Sequence, residues 1–171
     1  MSKWKLTGEG FSRGQIVTDG NRFLCANGYM GLRGVFEEAD SSLFPAITLA
    51  GVYDQYQDRW REPVNAPHCL YAKMAFNGKT LAVGEAAFVS HAAGVDYGDG
   101  FYYRETDFGP VVLRSERFVS MAETHLLCDR LMDCFGGLSP LVCREAALFT
   151  AGSVDARVDS LDIPTAADRL G

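Results

Sequence analysis

No apolar run in this 171-residue chain approaches the ~20 residues that a membrane-spanning helix needs. No apolar core follows the charges of Met1-Ser2-Lys3-Trp4-Lys5 either, so neither a span nor an export signal is expected. Basic clusters are missing. The 16 lysines and arginines are scattered singly through a chain of net charge −6, so neither nucleic acid nor a membrane is an expected partner. Cys-x-x-Cys pairs are absent, and five cysteines (Cys25, Cys69, Cys128, Cys134 and Cys143) cannot close into a complete disulfide framework. They read as small buried hydrophobes in a reduced cytoplasm. His68, His91 and His125 lack the i, i+4 or His-x-His spacing of a metal site, so no metal and no cofactor is expected. Long amphipathic helices are lacking.

What is present is 47% hydrophobic and 22% charged residues, enough for one globular domain, residues 1–171, with a sizeable core. Turn chemistry recurs along it. Asn27-Gly28 predicts a hairpin of Arg22–Cys25 against Tyr29–Leu32. Gly31 and Gly34 mark a bulge or a close approach by another backbone or a ligand. Before that hairpin, Lys3–Thr7 reads as an edge strand, followed by an extended, glycine-broken crossing to Gln15-Ile16-Val17 and a turn at Asp19-Gly20-Asn21. Pro45–Tyr53 reads as a strand and Asp54–Pro63 as a long surface loop. Asn77-Gly78 predicts a second hairpin, and Phe101–Phe108 a strand pairing with Val111–Ser120. His125–Phe135 fits a strand or a short helix, and Val154, Ala156 and Val158 alternate with polar residues as a late strand. Short strands at regular spacing predict an all-β chain, an antiparallel β-sandwich with few or no helices.

Few residues point to chemistry. Gly28, Gly31 and Gly34 open no helix, so a phosphate cradle is disfavoured. The carboxylates Glu37, Glu38, Asp54, Asp58 and Glu62 have polar neighbours that would leave them solvated and at ordinary pKa values, unlike a glycosidase acid. Tyr53-Asp54 through Trp60 pairs aromatic rings with carboxylates, which is the chemistry of sugar contact; the alternative is rings tucked under the loop or against another domain.

Asn27-Gly28-Tyr29-Met30-Gly31-Leu32-Arg33-Gly34, then Phe36-Glu37-Glu38, Ala50-Gly51-Val52-Tyr53-Asp54 and Glu116-Arg117-Phe118-Val119-Ser120 occur in an order that resembles the N-terminal region of glycoside hydrolase family sixty-five, the maltose, trehalose and kojibiose phosphorylases. The resemblance spans roughly residues 20–125. It implies the large "super-sandwich" that precedes an (α/α)6 catalytic barrel, with the barrel itself absent from this chain. No catalytic residue carries over. The expected role is a non-catalytic domain of an α-glycoside phosphorylase or hydrolase acting on disaccharides, supporting the barrel and a homodimer, with a disaccharide as a further candidate ligand. A free-standing carbohydrate-binding module is the alternative. Arg33, Glu37, Glu38, Tyr53, Asp54 and Trp60 are the candidate interdomain or sugar-facing residues, expected together near one surface.

Overall fold

The computed structural model describes residues 3–39, 43–57, 59–135, 147–150 and 153–156. In chain order the elements are β1 (Lys5–Glu9), α1 (Arg13–Arg22), β2 (Cys25–Ala26), β3 (Met30–Leu32), β4 (Ile47–Tyr56), β5 (Trp60–Asn65), β6 (Ala75–Phe76) and β7 (Lys79–Thr80). They continue with β8 (Ser90–Asp96), β9 (Phe101–Asp107), β10 (Val111–Val119), β11 (Leu126–Phe135), β12 (Ala147–Thr150) and β13 (Ser153–Ala156). One sheet has the order β1-β8-β9-β10-β11-β12-β13, a second has β2-β3-β4-β5, and β6-β7 form a separate ribbon. Ladders between these strands are all antiparallel. Cys25, Met30, Leu32 and Ile47 of the small sheet share one core with Val95, Tyr102, Leu113, Val119 and Leu127 of the large one. This is the all-β antiparallel sandwich expected from the sequence, with a single helix among the described residues.

That helix corrects the extended crossing predicted before the first hairpin. Ser12 caps α1, its side chain accepting from the Gln15 N–H at 3.2 Å, and the Phe23 N–H closes the far end on the Asp19 carbonyl. Gly20 lies inside α1 where a Cβ would stand 2.8 Å from the Arg33 Nε, so the glycine that suggests a turn is instead making room for a side chain.

The first hairpin forms, shorter than expected, with Cys25 opposite Leu32 and Ala26 opposite Gly31. Gly28 takes the positive φ of 87°, while Asn27 Oδ1 accepts from the Tyr29 and Met30 N–H groups at 3.0 and 2.9 Å. Gly34 sits beyond β3, where a Cβ would meet the Phe23 carbonyl oxygen at 2.7 Å, so the predicted close approach is to backbone. At the second hairpin Asn77 (φ 48°) and Gly78 (φ 73°) both take the left-handed region, as a type I′ turn requires.

Asp54–Pro63 is not a loop. β4 and β5 run through it as an antiparallel ribbon, with Tyr53 opposite Pro63, Asp54 opposite Glu62, Gln55 opposite Arg61 and Tyr56 opposite Trp60. His125–Phe135 resolves to strand β11, in register with β10 along its length. Gly136-Gly137, Pro140-Leu141-Val142-Cys143 and Val158 lie outside the described residues.

Candidate functional site

Strict alternation on β10 sends Val111, Leu113, Ser115, Arg117 and Val119 inward and Val112, Arg114, Glu116 and Phe118 outward. On β9 the inward residues are Tyr102, Arg104 and Thr106. The inner face of the large sheet thus carries two arginines, each 2% exposed or less. Segment 33–39, which follows β3 without regular structure, crosses this face and supplies the compensating charge.

Arg104 is bound at every nitrogen. Its Nη1 donates to Glu37 Oε2 at 2.9 Å and to Glu38 Oε2 at 2.5 Å, its Nη2 to Glu38 Oε1 at 2.6 Å, and its Nε to Thr106 Oγ1 at 2.9 Å. Glu38 Oε1 also accepts from the Val83 N–H at 3.0 Å. Arg117 donates from Nη2 to the Val35 carbonyl, stands 3.7 Å from Glu37 Oε1 through Nη1, and covers the Tyr102 ring with its guanidinium 4.0 Å from the centroid. Two carboxylates meet two guanidiniums here, and the buried Asp129 adds its charge on the Arg117 side. Burial pushes the Glu37 carboxyl up, but the Arg117 and Arg104 charges outweigh it and hold its pKa below the usual carboxylate value.

His91 on β8 joins through Thr106, with Nδ1 to Oγ1 at 2.8 Å. The same hydroxyl accepts from Arg104 Nε, so Thr106 links the imidazole to the guanidinium. Burial first, and the Arg104 charge second, bring the His91 pKa down to about 4. His68 is shifted the same way, by burial and by Arg117. Glu37 is locked by guanidiniums and His91 is held neutral, both buried by side chains of this chain. The arrangement is a buried ionic lock. Among the described residues no group of His, Cys, Asp and Glu is placed to hold a metal ion. The cavity lined by Phe11, Ile16, Phe23, Phe36 and His91 holds about 20 Å³, room for one water and not for a sugar.

The predicted site residues therefore separate. Glu37 (0% exposed) and Glu38 lie inside the sandwich and not at the surface expected for them, because the inward arginines of β9 and β10 require them there. Arg33 is half-buried at a seam, donating to Asn21 Oδ1 at 3.1 Å, the Phe44 carbonyl at 2.8 Å and the Val17 carbonyl at 2.6 Å, so it ties α1 to the approach of β4. Tyr53 (56% exposed), Asp54 and Trp60 (53% exposed) stand on the outer part of the β4–β5 arm. The sequence names Arg117 only within a motif and His91 only as an isolated histidine, and it singles out neither Arg104 nor Thr106. One signal was available: an arginine at the positions where alternation demands an apolar residue, twice, on adjacent strands.

Residues 6–132 match the sequence profile described as "Glycosyl hydrolase family 65, N-terminal domain". A nigerose phosphorylase of Lachnoclostridium phytofermentans is 40% identical over 128 residues, covering 72% of this chain and 17% of that protein. Kojibiose phosphorylase of Caldanaerobacter subterraneus is 30% identical over 108 residues, covering 60% of this chain and 14% of its own length. A solved structure described as "Putative kojibiose phosphorylase from human microbiome" superposes with a TM-score of 0.69 at 14% identity, over 76% of this chain and 19% of that one, which supports the fold. The chain spans about a sixth of the length of the curated relatives it matches. On the match over residues 6–132, the chain belongs to glycosyl hydrolase family 65, whose N-terminal domain it carries.

Proposed function

We propose that this chain serves as the non-catalytic N-terminal domain of an α-glycoside phosphorylase or hydrolase acting on disaccharides, supporting a catalytic (α/α)6 barrel and a homodimer in the cytoplasm. The observation that carries this reading is the domain match over residues 6–132 in a chain spanning 17% of a nigerose phosphorylase. It is supported by the enclosure of Glu37 and Glu38, which removes the best-placed carboxylates from contact with any substrate. Tyr53, Asp54 and Trp60 remain as residues that face the barrel or a sugar, with Arg33 bracing the segment that leads to their arm. Purified chain incubated with nigerose, kojibiose, maltose or trehalose and inorganic phosphate should release no glucose 1-phosphate. Sustained turnover by pure protein would sink the proposal.

A second reading, a carbohydrate-binding module, is favoured by the exposure of Trp60 on the same face as Asp54, with Tyr53 exposed on the other face of the arm. Calorimetric titration with the same disaccharides separates the two. Absence of heat at millimolar ligand removes the module.

A further inference from the structure

Among the described residues, no further sheet or helix layer lies against the outer part of the β4–β5 arm. Every residue of β5 from Trp60 to Asn65 is exposed, and so is β4 from Ala50 to Gln55. A two-stranded ribbon on its own is marginal in water. The register sets Asp54 directly opposite Glu62 and Gln55 opposite Arg61. Beyond the irregularity of β4 between Thr48 and Tyr53, alternation places Asp54 of β4 with Trp60, Glu62 and Val64 of β5 on one face, and Tyr53, Arg61 and Pro63 on the other. Like charges directly opposite each other disfavour the ribbon that carries them. Among the described residues no cation is ion-paired with either carboxylate; Arg61 lies on the far face, its Nε donating to Gln55 Oε1 at 3.4 Å. Among the described residues, Asp54 Oδ1 accepts a local bond, from the Gln55 N–H at 2.7 Å.

We propose that the face formed by Asp54, Trp60, Glu62 and Val64 docks onto a protein surface that presents an arginine or lysine between the two carboxylates, with apolar side chains around it. Charge complementarity selects this occupant. A cation seated between Asp54 and Glu62 turns a repelling pair into a bridged one, whereas a neutral sugar hydrogen-bonds both and leaves the repulsion in place. Val64 and the indole of Trp60 supply apolar area on either side of Glu62. Docking is face-on: β5 is the edge of its sheet, and Pro63 has no N–H to give to an added strand. The partner is the polypeptide that makes up the other five-sixths of the relatives, so this inference rests on the domain role proposed above.

The test mixes the full chain with the Lachnoclostridium nigerose phosphorylase trimmed of the 128-residue matching segment, its folding checked by circular dichroism, and measures binding by calorimetry and sedimentation. A one-to-one complex is expected, weakened at least about tenfold by the double reversal Asp54→Lys, Glu62→Lys and by high salt. If the trimmed relative does not fold alone, the variants are read as a fall in thermal midpoint of the fusion in which this chain replaces those 128 residues. In the free chain, Asp54→Asn should raise the thermal midpoint by about 1–3 °C at low salt, as removal of a repelling pair requires. Binding untouched by charge reversal, no complex, self-association through this face, sugar heat abolished by Asp54→Asn, or no gain in midpoint each overturns the interface. Release of glucose 1-phosphate by the free chain overturns the domain role instead, so the two failures are distinguishable.

Discussion

At the residue scale the ruling feature is the pairing of Glu37 and Glu38 with Arg104 and Arg117 inside the sandwich. Such a network is not in itself evidence of high stability, because desolvating four charges offsets much of their attraction. Its asymmetry is what matters. Removing one partner strands the others, so Arg104→Met should cost about 3–5 kcal/mol, read as a shift in the urea midpoint at neutral pH. Arg114→Met, which breaks the exposed 2.6 Å pair with Glu105, should cost no more than about 1 kcal/mol. Equal losses from the two variants would contradict a buried lock. The inward arginines left a trace in the strand pattern, but their partners were not legible, since sequence proximity says nothing of Arg104, which lies 67 and 66 residues from Glu37 and Glu38.

At the scale of elements, what the sequence revealed and what it hid have different physical causes. Hairpins whose turns depend on local φ were legible, because Asn77-Gly78 needs no distant partner to adopt its shape. Helix α1 was hidden by Gly14 and Gly20, which lower its propensity; Ile16 and Gly20 are its buried residues, and packing against Arg33 and the sheet overrides the local preference. The β4–β5 arm was hidden because its polar residues read as loop, whereas backbone pairing alone extends the strands. On β10 the pattern was legible but its polarity was not: Arg117 points in and Phe118, 44% exposed, points out. Strand β8 owes its neighbour to a missing side chain. A Cβ at Gly94 would stand 2.3 Å from the Leu6 carbonyl oxygen, so Gly94→Ala should push β1 off the sheet edge. Amide hydrogen exchange should then accelerate across Lys5–Glu9 while β9 and β10 stay protected; uniform acceleration or none would count against this account.

For the whole molecule, acid is the condition that couples these parts. His91 titrates at about 4 in the fold against 6.5 for an unperturbed histidine, so between those values the unfolded chain binds the proton and the fold does not. Stability therefore falls as pH drops through that window, by about 3 kcal/mol at its lower end. His68, also depressed, acts in the same direction. Glu37 follows: its contribution is complete above the ordinary carboxylate pKa and is lost as pH falls through its lower folded value. Urea midpoints measured against pH should decline from about 6.5 downward, and His91→Gln should flatten the upper part of that decline. A profile level from pH 6.5 to 5 would refute the assignment of a neutral buried imidazole. The sandwich class was legible at this scale because strand spacing and turn chemistry are written along the chain. Which faces meet is a property of the register, and the register is long-range.

The two Asn-Gly dipeptides also set a clock. Succinimide formation, the first step of asparagine ageing, needs the following glycine nitrogen to swing onto the side-chain carbonyl carbon while the amide nitrogen leaves. Asn27 is buried, its Nδ2 gripped by the Ser120 and Thr124 carbonyls at 2.7 and 2.9 Å and its Oδ1 by two backbone N–H groups. Neither the swing nor the departure is open to it. Asn77, exposed at the tip of the β6–β7 ribbon, has no such restraint among the hydrogen bonds described above, so chemical ageing of this protein begins at the ribbon and spares the hairpin that joins its two sheets.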